Sequence, residues 1–300
     1  MKNANPTFLS SPSALRAWIL AARPKTLIAG ISPVLIGLAI ASAYQSLSPL
    51  VALLCLLFSL SLQIGTNWAN DYFDFCKGAD TPNRKGPARA VQSGWISPKA
   101  MRFGALIAFS TSALIALPLL WRIGFMFLPL MLLCIACGIL YTGGKRPLGY
   151  LGLGELLVLF FYGPVATCCT ILAQLLFIPS EAWIACLAPG LFSCAILAIN
   201  NLRDADEDRK ANKLTLAARF GTSFARREYA ACLFLAAMVP AALVIYGKSP
   251  FLLSIWLLIP LAIEPLRIVF HHPQNLNRAL ALTARLLALY TVLFYASFSL

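Results

Sequence analysis

Two groups of amide and carboxylate side chains stand out in a chain otherwise poor in charge. Gln63, Asn67, Asn70, Asp71 and Asp74 recur at spacings of three and four, which puts them on one face of a helix. Asn200, Asn201, Asp204 and Asp208 repeat the arrangement later in the chain. Cations accompany both groups. Lys77, Arg84, Lys85 and Arg89 follow the first, and Arg203, Arg209, Lys210 and Lys213 flank the second. Between them Lys145 and Arg146 close the short run Tyr141-Thr142-Gly143-Gly144. Carboxylate and amide oxygens on two helix ends suit Mg²⁺, which takes oxygen ligands and is held by one or two carboxylates plus substrate phosphates. Solvated helix ends would explain the acids without chemistry, and membrane-surface anchoring explains Arg84, Lys85, Arg209 and Lys210 better than a ligand does. Gly144-Lys145 is not a P-loop, since Ile139 stands where the first glycine belongs and Arg146 replaces Ser/Thr.

The elements that position these residues are membrane helices. Sixty per cent of the 300 residues are hydrophobic and 12% are charged, with a mean hydropathy of +0.78. A soluble domain carries roughly twice that charge. Apolar stretches long enough to cross a bilayer run over 26–44, 50–67, 103–120, 124–141, 156–177, 183–199, 229–246, 251–270 and 279–300. The last two are interrupted by Glu264, Arg267 and Arg285. An all-α polytopic bundle of about nine transmembrane helices in a single domain over 1–300 is expected. Nine crossings leave the N-terminus and loops 67–102, 142–152, 200–228 and 264–278 on one face. Every Lys and Arg except Arg122, Lys248 and Arg285 falls there, so that face is cytoplasmic by the positive-inside rule.

The net charge of +13 is thus a topology signal and not a nucleic-acid-binding one. Arg16 and Arg23 bracket a short apolar run without a small-residue cleavage site, so the segment 14–22 reads as an interfacial helix and not a signal peptide. Eight of the nine cysteines lie in spans, where a thiol is a small apolar group. Cys134 and Cys137 have metal-like spacing but no second pair. Asp71, Asp74, Asp80, Asp204, Asp206, Glu207 and Asp208, seven of the eleven acids, fall in loops 67–102 and 200–228, which puts the chemistry on the cytoplasmic side. Acids on two helix ends, a basic loop between them and an apolar bundle beneath describe a site for a lipid-tailed diphosphate bound through Mg²⁺.

These residues resemble a known family. Asn70-Asp71-Tyr72-Phe73-Asp74, with Gly78 and Asp80, resembles the first Asp-rich motif of the UbiA superfamily of intramembrane prenyltransferases. Asn201-Leu202-Arg203-Asp204 with Asp208 resembles the second, and Tyr141 with Lys145 matches its YxxxK motif. Stretches at 23–27, 89–94, 147–155 and 200–216 are most similar to the 1,4-dihydroxy-2-naphthoate prenyltransferases of menaquinone synthesis. Asp80 lies six residues after Asp74 where the broad pattern has four, a spacing that the naphthoate branch accepts.

The resemblance implies transfer of a polyprenyl group from its diphosphate to a naphthoate, giving demethylmenaquinone, diphosphate and carbon dioxide, in the cell inner membrane. It implies Mg²⁺ on Asn70, Asp71, Asp74, Asp80, Asn201, Asp204 and Asp208. Lys145, Arg146, Lys77, Arg203 and Lys213 would meet the diphosphate, Tyr141 the allylic cation, and Arg23 or Arg89 the acceptor carboxylate. The alternatives are another acceptor (4-hydroxybenzoate, homogentisate, haem or a chlorin) and, from a different class, a transporter. A transporter would favour acids near the bilayer midplane, where only Glu264 and Arg285 are candidates, neutralised by Arg267 or by each other.

Overall fold

The computed structural model describes residues 12–79 and 86–298, and among them there are helices and no strand. The short α1 (Ala14–Ala21) precedes α2 (Pro24–Ala43), α3 (Pro49–Cys76) and α4 (Pro98–Ile123). A 3₁₀ turn leads into α5 (Leu128–Leu140). Then come α6 (Gly154–Leu175), α7 (Ala182–Lys210), a short α8 (Leu216–Phe220), α9 (Thr222–Ile245), α10 (Pro250–His271) and α11 (Leu276–Phe298). Eight helices are long and apolar enough to cross a membrane, and Phe125–Leu140 adds a shorter apolar one. These are the nine segments expected from hydropathy.

Local chemistry sets where several of them begin. Ser48-Pro49, Ser97-Pro98 and Ser249-Pro250 open α3, α4 and α10. Each serine hydroxyl accepts from a backbone N–H of the first turn, and each proline sits where the helix needs no N–H.

The polar stripes are helical, as their spacing predicts, although hydropathy ends the spans earlier. The helices do not stop at the apolar edge: α3 runs on to Cys76 and α7 to Lys210, so the residues assigned above to loops 67–102 and 200–228 begin as helix. Asp71, Asp74, Asp204 and Asp208 are therefore helical, and all four are buried.

Lipid is as apolar as a leucine core, so membrane helices associate by close packing and internal hydrogen bonds. α6 crosses α7 where Gly163 meets Gly190; a Cβ on Gly190 would lie 2.8 Å from the Leu159 carbonyl oxygen. A π turn over Phe161–Val165 interrupts α6 at Pro164, which has no N–H to give. Within that turn Tyr162 donates its hydroxyl to Gln63 of α3. α7 is the most enclosed helix, 72% of its apolar window being buried against 17% for α3. It packs with α2, α9, α10 and α11 around one large core. α3, α4 and α5 form the opposite wall, and an elongated cavity lies between the two.

Candidate active site

The stripe on α3 faces inward and meets the loop that follows it. Asp71 accepts at both carboxylate oxygens, from Ala90 N–H at 3.0 Å and from Val91 N–H at 3.2 Å. The loop is thereby stapled to the helix, and Ala90, Val91 and Ile96 pack on Ala17 and Ala21 of α1. Asp74 accepts from the Tyr150 hydroxyl at 2.9 Å, with the Arg89 guanidinium 3.6 Å away. Asn70 accepts from the Thr142 hydroxyl at 2.8 Å, and Asn67 donates to the Ala22 carbonyl.

On α7 the second stripe is held as firmly. Arg203 grips Asp204 in a two-pronged pair at 2.7 and 2.8 Å and donates a third bond to Asn277 of α11 at 2.8 Å. Its fork therefore anchors the acid, and three of its five N–H groups are already engaged. Asp208 lies 3.4 Å from the Lys213 ammonium and 3.4 Å from the Thr215 hydroxyl. Asn201 donates its amide to Glu155 of α6 at 2.7 Å. Because an ionised carboxylate only accepts, this bond turns the Asn201 oxygen away from Glu155.

The 141–153 connection closes the site from above. Lys77 donates to the carbonyls of Thr142 and Gly144 at 2.7 and 3.0 Å, so it ties this loop to α3. Lys145 and Arg146 are exposed. Gly152 has φ +77°, and a Cβ there would stand 2.8 Å from the Leu214 carbonyl oxygen. Glycine is what lets this turn lie against the end of the second motif. Tyr141 lines the top of the cavity. Asp80, Arg84 and Lys85 lie outside the described residues.

The cavity holds about 310 Å³. Asn70, Asn200, Tyr141 and Arg23 form its polar end, and below them Phe58, Leu62, Leu119, Met131 and Val165 make it apolar. Cys55 and Asn70 both line it, and fifteen residues at 1.5 Å each give it a length of about 22 Å along α3. Arg23 sits in a left-handed conformation (φ 55°) at the start of α2 and acts electrostatically on Asp71.

The donors at this end are all oxygen, with no thiol or imidazole among the motif residues. Among the described residues no three acids converge into a preformed cage. Two separate carboxylate pairs backed by hydrogen bonds fit Mg²⁺, an ion that completes its shell with water and substrate phosphate. Sequence reasoning missed Thr142, Glu155, Thr215 and Asn277 as supports. Tyr150 and Glu155 stood in a stretch that carried the family likeness but no assigned chemistry.

Residues 30–297 match the UbiA prenyltransferase family. The chain belongs to that family. A 1,4-dihydroxy-2-naphthoate octaprenyltransferase of Mycobacterium tuberculosis is 36% identical over 87% of each chain. The enzyme of that name from Escherichia coli is 40% identical over 77% of each. UbiA prenyltransferase domain-containing protein 1 of Danio rerio is 30% identical over 78% of this chain and 70% of its own. Among solved structures, a UbiA homologue of Archaeoglobus fulgidus bound to GPP and Mg²⁺ has the same fold, with TM-score 0.65 at 16% identity over 95% of this chain and 100% of that one. This UbiA family member is a prenyltransferase and a multi-pass membrane protein, which removes the transporter reading. Glu264 is half exposed and pairs with Arg278 of α11, not with Arg267 or Arg285 as expected from sequence.

Proposed function

We propose that this UbiA prenyltransferase, acting as one domain over 1–300, transfers a polyprenyl group from polyprenyl diphosphate to 1,4-dihydroxy-2-naphthoate. The observation that carries this reading is one apolar cavity, about 22 Å long, that reaches Asn70 and Asn200 on the two helix ends bearing the acids. The relatives named for this reaction supply the acceptor. Asp71, Asp74, Asp204 and Asp208, with the oxygens of Asn70 and Asn201, would hold Mg²⁺. When bound, the ion neutralises charge on the diphosphate as it departs. Lys145 and Arg146 stand exposed at the same end and would add cationic charge to it.

The allylic C–O bond ionises and its electron pair leaves with the diphosphate. The cavity below Tyr141 encloses the tail and keeps water from the cation, and the Tyr141 ring offers its negative face. Arg23, on the cavity wall, and Arg89, beside Asp74, are the groups for the acceptor carboxylate. The ring carbon bearing that carboxylate attacks, the C–C bond to the carboxylate breaks, and its pair restores the aromatic ring as carbon dioxide leaves. The immediate product is the quinol form of demethylmenaquinone, since no oxidation occurs in this step. The basic face would put this chemistry on the cytoplasmic side of the inner membrane.

Membranes containing the protein, given Mg²⁺ and labelled polyprenyl diphosphate, should label 1,4-dihydroxy-2-naphthoate and release its carboxyl carbon as carbon dioxide. Label passing only to 4-hydroxybenzoate, homogentisate, haem or a chlorin would move the enzyme to another branch. Equal transfer with and without Mg²⁺ would remove the metal from the reading.

A further inference from the structure

One side chain bonds to the first acid motif and lies against a lysine paired with the second, and neither motif contains it. Tyr150 stands on the 3₁₀ turn Leu148–Leu151 between α5 and α6. Its hydroxyl donates to Asp74 of the first motif at 2.9 Å. The Lys77 ammonium lies 5.8 Å from its ring centroid and the Lys213 ammonium 5.7 Å. Lys213 in turn pairs with Asp208 of the second motif. The Tyr150 carbonyl accepts from Leu214 N–H at 3.0 Å, which fixes the turn to the chain just after α7. Gly149, against the Tyr141 ring, and Gly152, at positive φ against Leu214, let the turn approach this closely.

Each contact has a chemical consequence. A carboxylate oxygen has two lone-pair directions, so a hydroxyl on one of them orients Asp74 while the other stays available. Ammonium groups are attracted to the face of a tyrosine ring, so the ring adds to the carbonyls that hold Lys77 and to the Asp208 pairing that holds Lys213. We propose that Tyr150 is a positioning residue that aligns Asp74, Lys77 and Lys213 as one receptor for a metal-bound diphosphate. This rests on the reading that the donor diphosphate binds between the two motifs. Groups that orient metal ligands from behind typically change metal affinity 10–100-fold when removed.

Two substitutions separate the hydroxyl from the ring. Tyr150→Phe keeps the ring and deletes the bond to Asp74, and Tyr150→Leu deletes both. Binding of Mn²⁺ in the presence of inorganic diphosphate is followed by electron paramagnetic resonance on the purified full chain, alongside its melting temperature and its KM for polyprenyl diphosphate. Tyr150→Phe should weaken Mn²⁺ binding about tenfold while the KM at saturating metal stays within about twofold. Tyr150→Leu should show the same metal defect and also raise that KM several-fold, since both ammonium groups lose their platform. Mn²⁺ affinity unchanged in Tyr150→Phe, with only the melting temperature lowered, would reduce Tyr150 to a structural prop. Asp74→Asn is the control for the underlying reading. Metal binding lost in Asp74→Asn but intact in both Tyr150 variants would overturn the positioning role alone. Metal binding intact in Asp74→Asn as well would overturn the site itself.

Discussion

Asp71 commits both carboxylate oxygens to backbone N–H groups of Ala90 and Val91, and it is 1% exposed. An aspartate with that environment does two jobs. It is a metal-ligand candidate, and it also holds the 89–96 loop over the site. Asp71→Asn cannot preserve the second job, because one oxygen becomes an NH₂ facing a backbone N–H. The loss of one charge-assisted bond and the orphaning of a donor amount to about 1–3 kcal/mol. The variant should melt earlier in detergent, and proteases should cut more readily within 86–97. Asp204→Asn differs in kind. It leaves the buried Arg203 guanidinium with neutral acceptors only, Asn277 and one amide oxygen, and breaking a buried pair on one side costs about 3–5 kcal/mol. Unchanged melting in both variants would show that these acids are solvated helix ends. Activity measurements on either need the melting curve beside them, since a folding loss and a metal loss both abolish transfer.

At the scale of elements, the end of the bundle away from the motifs is tied by a second polar cluster. Glu181, just before α7, accepts from the Tyr44 hydroxyl after α2 at 2.9 Å and from Lys248 between α9 and α10 at 2.5 Å. Burial alone pushes the Glu181 carboxyl up. The bonds from Lys248, its own backbone and Tyr44 outweigh that and hold it below the ordinary 4.5. A carboxylate lowered on folding stabilises the fold above its unfolded pKa, and the benefit fades as pH falls through the folded value. The wild type should therefore out-melt Glu181→Gln near neutrality, with the gap closing below about pH 4.5. A gap that is constant with pH would mean that shape, not charge, ties these helices.

The helices themselves were legible from hydropathy because nothing else crosses a bilayer so economically in backbone hydrogen bonds. Hydropathy alone ends these two spans short of Cys76 and Lys210, because charge depresses hydropathy while leaving helical periodicity intact. The spacing of Asn67, Asn70, Asp71 and Asp74 already carried that information. The supports from Thr142, Tyr150, Glu155 and Asn277 were not legible, since each arrives from a distant helix or loop. The Glu264–Arg278 pair was missed for the same reason: it forms between α10 and α11, a contact that sequence spacing does not show.

For the whole molecule, the basic residues among those described gather toward the motif end, apart from Arg285 within α11, and leave Arg122 and Lys248 at the other. Arg122 there donates to the carbonyls of Ala173 and Gln174, capping the end of α6. A reporter after Gly247 should read outside the cytoplasm and one in the Lys145 loop inside it; the reverse would turn the site to the other compartment. The thiols on the cavity wall make occupancy readable by chemical footprinting. Cys55, Cys134, Cys137 and Cys169 line the chamber, and Cys76 is exposed beyond the end of the first stripe. Apolar surroundings keep such thiols protonated and slow to alkylate, so a small lipid-soluble maleimide acts on them gradually. A tail threaded down the chamber would cover all four. Polyprenyl diphosphate with Mg²⁺ should then slow their alkylation and leave Cys76 untouched, tracing the path of the chain thiol by thiol from the diphosphate end to the depth of Cys55.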